Sequence, residues 1–343
     1  MQSNFKVNSR VSIIIPFVEF NSYVYECVLH CLDLNYPDFE IILLPDNKIE
    51  LPEKLISRNI KTVETGNKNI AFKRNIGINN AAGNFYAFID SDAYPTRDWL
   101  ENAVKTFTKN TDIWAVGGPN ITPPNDNLYK RCVGNSLKSF FVSGANSFRK
   151  KIAHSRYCYD LPSCNLIVNK QAIEELKGFN ENLFTGEDIE LCMRIISNKK
   201  KIFYNNKVIV YHHNRSLFKP YFLQRVTYGS TVFASLKEDI FREHISFHTV
   251  SFLLPMFFLL FIIAGGIISF FSNTFLFFYL AILIFYSAII VIESIKYSEH
   301  IKEVPLTFLS LLIGNVSPGI GSLRALLGVK TNLKSLYKNY DNS

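Results

Sequence analysis

Two carboxylates, Asp90 and Asp92, directly follow an apolar run in the segment 84-NFYAFIDSDAYPTRDWL-100. Residues i and i+2 of an extended chain point to the same side, so these side chains would crowd together at a strand end. Like charges placed so closely repel each other and lose hydration unless a cation joins them. A hard divalent ion takes oxygen ligands and commonly shares one or two carboxylates with substrate phosphates. The pair therefore indicates a metal site; the alternative is a solvated turn in which Asp90 caps a helix over 95–107.

A second acidic pair, Glu187-Asp188, lies about a hundred residues later in 184-FTGEDIELCMRI-195. On its own, this pair is typical of a helix N-terminus, where carboxylates cap the backbone and interact favourably with the helix dipole. Two histidines, His212 and His213, follow the apolar run 208–211, and either a metal-binding or a packing role is open for them. These groups could serve one chemistry only if the fold brings them together.

A fold of alternating strands and helices would bring these acidic and histidine side chains together. Apolar runs over 11–17, 39–47, 60–65 and 85–89 alternate with helical patterns over 22–34 and 70–82, which predicts a largely parallel, Rossmann-like sheet. Ligands of such sheets bind beyond the carboxyl ends of the strands, where Asp46, Asp90 and Asp92 are expected. Further along we predict a strand and turn over 113–120, a strand over 164–170, a short helix over 171–177, a loop that leads into a helix over 178–199, and a hairpin over 201–213. The stretch 125–158 has no clear assignment.

The bulk composition of the 343 residues narrows the class of partner. The net charge is +8, of which residues 1–244 carry +6 (31 Lys and Arg against 25 Asp and Glu) and residues 245–343 carry +2. This excess fits nucleotide phosphates, lipid phosphates or a negative leaflet surface, and an ordinary basic surface fits equally well. The six cysteines have no metal-ligand spacing and are expected to be reduced thiols. The polar N-terminus predicts no cleaved secretory signal.

The C-terminal part is predicted to be a membrane region, with a domain boundary near residue 244. Residues 249–271 and 274–292 carry no charge, and each is long enough to cross a hydrocarbon core of roughly 30 Å. A third apolar segment, 304–328, contains Pro, Gly, Asn and Arg and could span, re-enter or lie in the interface. Lysines follow it, and the positive-inside rule favours two spans with a non-spanning third segment. We therefore expect a cytosolic domain over 1–244 and a multi-pass region over 245–343 in the cell membrane.

The order of these motifs resembles that of the inverting nucleotide-sugar glycosyltransferases of family two, which have the GT-A fold, a Rossmann-like mixed sheet flanked by helices. The matching pieces cover about residues 10–230 and are VSIIIPF, EIILLPDN, the AxxRNxG helix, the FIDSD strand end, SCNLIVNK and GFNENLFTGEDIELCMR. Each piece is weak alone, and their order makes the resemblance specific.

The resemblance implies a role for each matching residue. Asp46 would contact the nucleotide base, Arg74 the base or phosphates, and Asp90 the ribose or the metal. Asp92, with His212 near it, would bind the Mn²⁺ or Mg²⁺ that bridges the diphosphate, and Asp188 would be the general base. The remaining nucleotide-sugar candidates are Pro16, Glu19 and Ser91; the acceptor-side candidates are Glu187, Asn165, Gln224, Arg225 and Tyr228.

The sequence also departs from the family pattern. A single Asp46 stands where many members have two adjacent aspartates, and 16-PFVEFN-21 replaces Pro-x-Tyr-Asn. The segment 224-QRVTY-228 lacks the Gln-x-x-Arg-Trp of processive synthases. We therefore expect a non-processive enzyme.

Three functions from different classes remain to be weighed. The favoured one transfers a sugar, by default from a UDP-sugar, to a hydroxyl of a lipid-linked or glycan acceptor, for surface polysaccharide, glycolipid or protein glycosylation. The second transfers it to a polyprenyl phosphate, and the third is a non-enzymatic sugar- or nucleotide-binding membrane scaffold. The two uncharged spans offer no polar path for a transporter, and only net charge favours nucleic-acid binding.

Overall fold

The computed structural model describes residues 9–183, 185–235 and 253–329. They form two compact units, each assembled from two stretches of chain. The α/β unit comprises residues up to Ile121 together with Lys151–His213, and the helical unit comprises Thr122–Lys150 together with the residues from Asn214 onward. The units therefore do not divide at residue 244: two stretches from the predicted cytosolic domain, 122–150 and 214–235, fold with the C-terminal apolar helices.

The helices of the described residues are numbered in chain order. They are α1 (Ser22–Leu32), α2 (Ile70–Asn79), α3 (Trp99–Lys109), α4 (Leu128–Leu137), α5 (Phe140–Ser143), α6 (Lys170–Leu176), α7 (Glu187–Ser197), α8 (Lys219–Ser235), α9 (Leu254–Ser269), α10 (Asn273–Tyr297) and α11 (Val304–Leu326). Helices α4, α5 and α8 to α11 belong to the helical unit, and the others belong to the α/β unit.

Two sheets form the centre of the α/β unit. The strands are β1 (Val11–Pro16), β2 (Phe39–Leu44), β3 (Ile60–Thr62), β4 (Phe85–Phe88), β5 (Ala93–Pro95), β6 (Ile113–Gly117), β7 (Asn120–Ile121), β8 (Arg156–Cys158), β9 (Leu166–Asn169), β10 (Lys201–Tyr204) and β11 (Val210–His212). The larger sheet has the order β3-β2-β1-β4-β9-β6-β10-β8, and the smaller sheet has the order β5-β11-β7. The central strands β1 and β4 are buried along their whole length, as expected for strands covered on both faces.

The register of the larger sheet gathers chain ends at one edge. Strands β1, β2 and β4 are mutually parallel, so their carboxyl ends lie at the same edge of the sheet. Asp46 follows β2 and Asp90 follows β4 at this edge. Strand β9 runs antiparallel to β4, pairing Phe88 with Leu166, and therefore begins where β4 ends. The predicted strand ends are thus confirmed, in a mixed sheet.

The predicted hairpin over 201–213 is wrong. Strand β10 pairs with β6 and β8 in the larger sheet, whereas β11 pairs with β5 and β7 in the smaller one. The local alternation of apolar residues was read correctly as two strands, but it carries no information about which strands they pair with. The β5–β11 pairing sets Ala93 opposite His212, one residue beyond Asp92.

The proposed helix over 95–107 begins later than expected, at Trp99, and its N-cap residue is Asp98. Asp90 lies nine residues before this helix and cannot cap it. This excludes the alternative explanation of the Asp90–Asp92 pair as a helix cap.

Helix α11 is the centre of the helical unit, where it packs against α4, α8, α9 and α10. A Cβ at Gly229 would lie 1.9 Å from the carbonyl oxygen of Pro318, and one at Gly321 would lie 2.0 Å from that of Val226. Glycine at these positions lets the backbones of α8 and α11 touch. The helix continues through Pro318, although its Pro and Gly residues suggested a broken segment.

Within the described residues, two stretches are long and apolar enough to cross a membrane: α10 and Ile301–Leu326, which contains α11. The second predicted span, 274–292, lies within α10, and its spanning of a membrane stays a prediction. The first predicted span, 249–271, corresponds to α9, which has 16 residues. Its length is therefore roughly 24 Å at 1.5 Å per residue. Residues 249–252 of that prediction lie outside the described part of the chain. The third segment, expected not to span, is long enough to do so.

The positive charge follows the two folded units rather than the chain halves. The described residues of the α/β unit hold 20 Lys and Arg against 21 Asp and Glu, a net charge of −1. Those of the helical unit hold 11 against 4, a net charge of +7. Within the helical unit, residues 122–150 carry +4, residues 214–235 carry +3 and residues 253–329 carry no net charge, so the charge of the folded units differs from the count by chain halves.

Candidate active site

Asp90, Asp92 and His212 form a cluster in the α/β unit at the edge where β4 ends. One ligand atom from each residue lies within 4.8 Å of the others, and His212 Nε2 is 3.2 Å from Asp92 Oδ1. The peptide N–H of His213 donates to the carbonyl oxygen of Asp92 at 3.0 Å, which extends the β5–β11 pairing and fixes the two segments. Two carboxylates and an imidazole are a suitable donor set for Mn²⁺, and the carboxylates alone suit Mg²⁺. The side chains present thus fit a divalent metal.

Arg74 joins this cluster to the second acidic pair. Its Nη2 donates to Asp90 Oδ1 at 3.0 Å, and its Nη1 donates to Glu187 Oε1 in a short ion pair. The Arg74 residue is only 2% exposed, and Glu187 is 5% exposed. Burial raises the pKa of Asp90, an effect that Arg74 opposes and that the nearby Asp92 reinforces. A cation bound between the two carboxylates would relieve this repulsion.

The start of α7 presents the TGED carboxylates. Gly186 has φ +81°, a left-handed conformation that favours glycine, and the helix begins with Glu187. Asp188 accepts from the Ser163 N–H through Oδ2 at 2.9 Å and from the Ile189 N–H through Oδ1 at 2.8 Å. These bonds fix its orientation beside the start of β9, and one further lone pair on each oxygen can still accept a proton. The side chain of Glu187, in contrast, points to Arg74, and burial raises its pKa to about 7 against the opposing effect of that guanidinium.

Lys73 is a site-edge residue that the sequence reasoning missed. It is buried, forms a short ion pair with Asp46 and donates to the carbonyl oxygen of Phe17. It therefore ties together the segments that follow β1 and β2. The sequence did contain a signal for Lys73, namely its position next to Arg74 in the AxxRNxG helix. A role was assigned to Arg74 alone, and the adjacent cation was left without one.

Three nucleotide-sugar candidates lie on the same side of the α/β unit and differ in accessibility. Pro16 ends β1 and is buried, Glu19 is exposed in the following loop, and Ser91 is partly exposed between the two cluster aspartates. Their roles stay predictions.

Asn165 was predicted as an acceptor-side residue, and the structure favours a structural role. It is fully buried. Its Nδ2 donates to the carbonyl oxygens of Pro119 and Val208, and its Oδ1 accepts from Trp99 Nε1 at 2.9 Å. All of its polar atoms are thus used to join β9, the segment before β7, and α3.

The three remaining acceptor candidates, Gln224, Arg225 and Tyr228, all lie on α8 in the helical unit. Gln224 and Arg225 are partly exposed, and Tyr228 is exposed. The guanidinium of Arg225 stands 6.0 Å from the ring centroid of Tyr228.

Comparison with known families and proteins is consistent with this arrangement. Residues 12–176 match the family described as "Glycosyl transferase family 2". A relative from Methanococcus voltae, named dolichyl N-acetyl-alpha-D-glucosaminyl phosphate 3-beta-D-2,3-diacetamido-2,3-dideoxy-beta-D-glucuronosyltransferase, is 24% identical over 76% of this chain and 83% of its own length. The pre-mycofactocin glycosyltransferase of Mycobacterium tuberculosis is 29% identical over 48% of this chain. The alignment spans only 34% of that second relative.

The solved structure of a mannosyltransferase from Pyrobaculum calidifontis, in complex with GDP-Man and Mn²⁺, has the same fold. The TM-score is 0.64 at 16% sequence identity, covering 94% of this chain and 88% of the other.

Proposed function

We propose that this protein transfers one sugar, with inversion, to a hydroxyl of a lipid-linked acceptor. Its residues 12–176 match glycosyl transferase family 2, and its fold is GT-A-like. The donor is a nucleotide-diphosphate sugar. A UDP-sugar is our first choice, from the family resemblance, and a GDP-sugar is the first alternative, because the Pyrobaculum enzyme was solved with GDP-Man.

The observation that carries the proposal is the joining of two acidic motifs by one buried arginine. Arg74 contacts Asp90 of the metal cluster and Glu187, the neighbour of Asp188. A donor bound at the cluster and an acceptor deprotonated at Asp188 would then be held in a fixed relation, as a direct displacement requires.

Each residue takes a separate role in that reaction. Asp92 and His212 would hold the metal, with Asp90 shared between the metal and the donor ribose. The metal, when bound, neutralises negative charge on the departing nucleoside diphosphate. Asp188 accepts the proton of the acceptor hydroxyl, and Glu187 positions Arg74 instead of contacting the acceptor. Asp46, held by Lys73, faces the nucleotide side.

A lipid-linked acceptor agrees with the helical unit and with the relatives. The Methanococcus relative is named as acting on a dolichyl-linked N-acetylglucosaminyl phosphate. In this chain, α10 and α11 are long and apolar enough for a bilayer, which would keep the enzyme where such acceptors reside. We place the α/β unit on the cytoplasmic side, where nucleotide sugars are made.

The test is the Asp188→Asn variant assayed with two acceptor types. A hydroxyl acceptor needs a base, so its turnover should fall by about 100-fold or more. A polyprenyl phosphate is already ionised, so transfer to it would fall little. The matched control is Asp33→Asn, which removes an exposed carboxylate of the same unit that is paired with the exposed Arg97.

The result separates the candidate functions. Loss of transfer to the hydroxyl acceptor alone supports the proposal, whereas efficient transfer to polyprenyl phosphate by both wild type and variant supports the lipid-monophosphate alternative. If the wild-type protein hydrolyses no nucleotide sugar in the presence of Mn²⁺, the enzymatic proposal fails.

A further inference from the structure

Arg225 lies within the helical unit among backbone carbonyls. Its Nη2 donates to the carbonyl oxygen of Val142 at 3.1 Å and to that of Gly314 at 3.3 Å. These two acceptors are the backbone carbonyls of α5 and α11. The Gly314 carbonyl cannot be used by residue 318 of α11, since that residue is Pro318 and has no N–H, and the Val142 carbonyl belongs to the last turn of α5. The guanidinium is thus oriented by two backbone acceptors, one on α5 and one on α11.

Two carbonyl dipoles orient this cation without neutralising it. Among the described residues no carboxylate forms an ion pair with Arg225, and its Nε is buried with no hydrogen-bond partner. The ionic partners of Glu293 and Glu303 within this unit are Lys296 and Arg131. With a net charge of +7 over its described residues, the helical unit has a surplus of positive charge that an external anion could complement.

Apolar and aromatic surface surrounds the guanidinium. Phe140 and Phe141 of α5 are 65% and 44% exposed, and they precede Val142, whose carbonyl holds Arg225. The Val142 side chain is buried against Ile290 of α10 and Leu311 of α11. Tyr228, one turn after Arg225 on α8, is 43% exposed. A fixed cation therefore lies next to exposed hydrocarbon surface on the unit that holds the candidate spans.

We propose that Arg225 binds the phosphate of a lipid, a phosphate ester on a long hydrocarbon chain, with the chain lying along the surface of Phe140 and Phe141. This inference rests on the proposed function, because it takes the bound lipid phosphate to be part of the lipid-linked acceptor. Arginine suits the task because its planar, permanently charged group donates several directed hydrogen bonds to phosphate oxygens. The ordinary anionic phospholipid of a bilayer offers the same chemistry and is the competing source.

The decisive measurement compares two acceptors that carry the same sugar and the same alkyl chain, one joined through a diphosphate and one through a neutral glycosidic link. The full-length protein is assayed in detergent free of phospholipid. Replacing Arg225 by Gln retains a donor for the two carbonyls and removes the charge. The KM for the diphosphate acceptor should rise by about 10- to 100-fold, the range for hydrogen bonds to a charged group, while the KM for the neutral acceptor changes little. Arg324→Gln, which removes an exposed cation of α11, should leave both values near wild type.

Two additional measurements keep folding and function apart. Arg225→Lys retains a charge and should keep part of the preference for the diphosphate. Calorimetric binding of a short-chain alkyl diphosphate requires no transfer, so it reports on the site even if the wild-type protein glycosylates neither acceptor, an outcome that would count against the proposed function alone.

Three outcomes would overturn the assignment. An equal rise in both KM values would mean that Arg225 only joins α5, α8 and α11. Unchanged KM values together with unchanged diphosphate binding would exclude a phosphate at this position. Arg225-dependent binding of phosphatidylglycerol, with no effect on the diphosphate acceptor, would assign the site to bulk lipid.

Discussion

Arg74 is the residue whose removal should damage the α/β unit most, because it is buried between two carboxylates. In the Arg74→Met variant, the Glu187 carboxyl, which is 5% exposed and whose pKa burial already raises to about 7, loses its ionic partner, and Asp90 loses a hydrogen bond. Breaking a buried ion pair by removing one partner destabilises a protein by about 3–5 kcal/mol. We expect a loss of that size in the free energy of unfolding.

The complementary variant should cost less. In Glu187→Gln the amide oxygen can still accept from Arg74, and Arg74 keeps its bond to Asp90, so the loss should be about 1–3 kcal/mol. The double variant leaves no buried carboxylate unpaired at position 187 and should be less destabilised than the sum of the two single variants. The expected coupling is about 0.5–3 kcal/mol.

The chain offers a convenient probe for this measurement. Its two tryptophans, Trp99 and Trp114, are both buried in the α/β unit, so their fluorescence during guanidinium unfolding reports on that unit. Arg97→Met serves as the control, because it breaks an exposed ion pair with Asp33 and should change the midpoint little. Equal losses for Arg74→Met and Glu187→Gln, or a double variant that equals the sum, would refute the view of Arg74 as a buried electrostatic link.

Three further changes test other parts of the structure. Gly229→Ala should destabilise the helical unit by about 1–3 kcal/mol through overpacking, whereas Gly266→Ala, whose Cβ would meet nothing closer than 3.7 Å, should not; a shift in thermal unfolding common to both would contradict the close approach of α8 and α11. Asn165→Leu removes three buried hydrogen bonds, among them that of Trp99 Nε1, and should lower the free energy of unfolding by at least about 1–3 kcal/mol, with retained stability showing that the buried network is dispensable. Asp92→Asn should raise the Mn²⁺ concentration needed for half-maximal donor hydrolysis by at least about tenfold, since even outer-shell partners are worth that much, and an unchanged value would place the metal elsewhere.

The strand ends could be predicted because the relevant information is local. An apolar run that stops at a carboxylate marks a strand end, and parallel strands bring such ends to one edge, so Asp46 and Asp90 were placed correctly without any knowledge of the partners. The resemblance to family two supplied His212, which the strand pattern alone left undecided between a ligand and a packing residue.

The parts that could not be predicted depend on pairing and on burial. Strands β10 and β11 have the local pattern of a hairpin, but β11 is taken up by β5 and β7, and that pairing is what brings His212 to Asp92. Asn165 has a polar side chain near the site motifs, and only the three-dimensional packing reveals that every polar atom of its amide is used internally. In both cases the deciding partners are distant in sequence.

The distribution of charged residues differs between the sequence and the fold: the net charge of the chain halves does not equal the net charge of the two folded units. Summed along the chain, most of the excess belonged to the predicted cytosolic domain and fitted nucleotide phosphates, lipid phosphates, a negative leaflet surface or an ordinary basic surface equally well. Summed over the folded units, the α/β unit is nearly neutral at −1 over its described residues, so a net field cannot account for binding of a nucleotide diphosphate there. Under the proposed function, we therefore expect donor affinity to come from local features, namely Arg74 and a cation at Asp90 and Asp92. The surplus lies in the unit that contains the apolar helices, which agrees with the proposed binding of a lipid phosphate there.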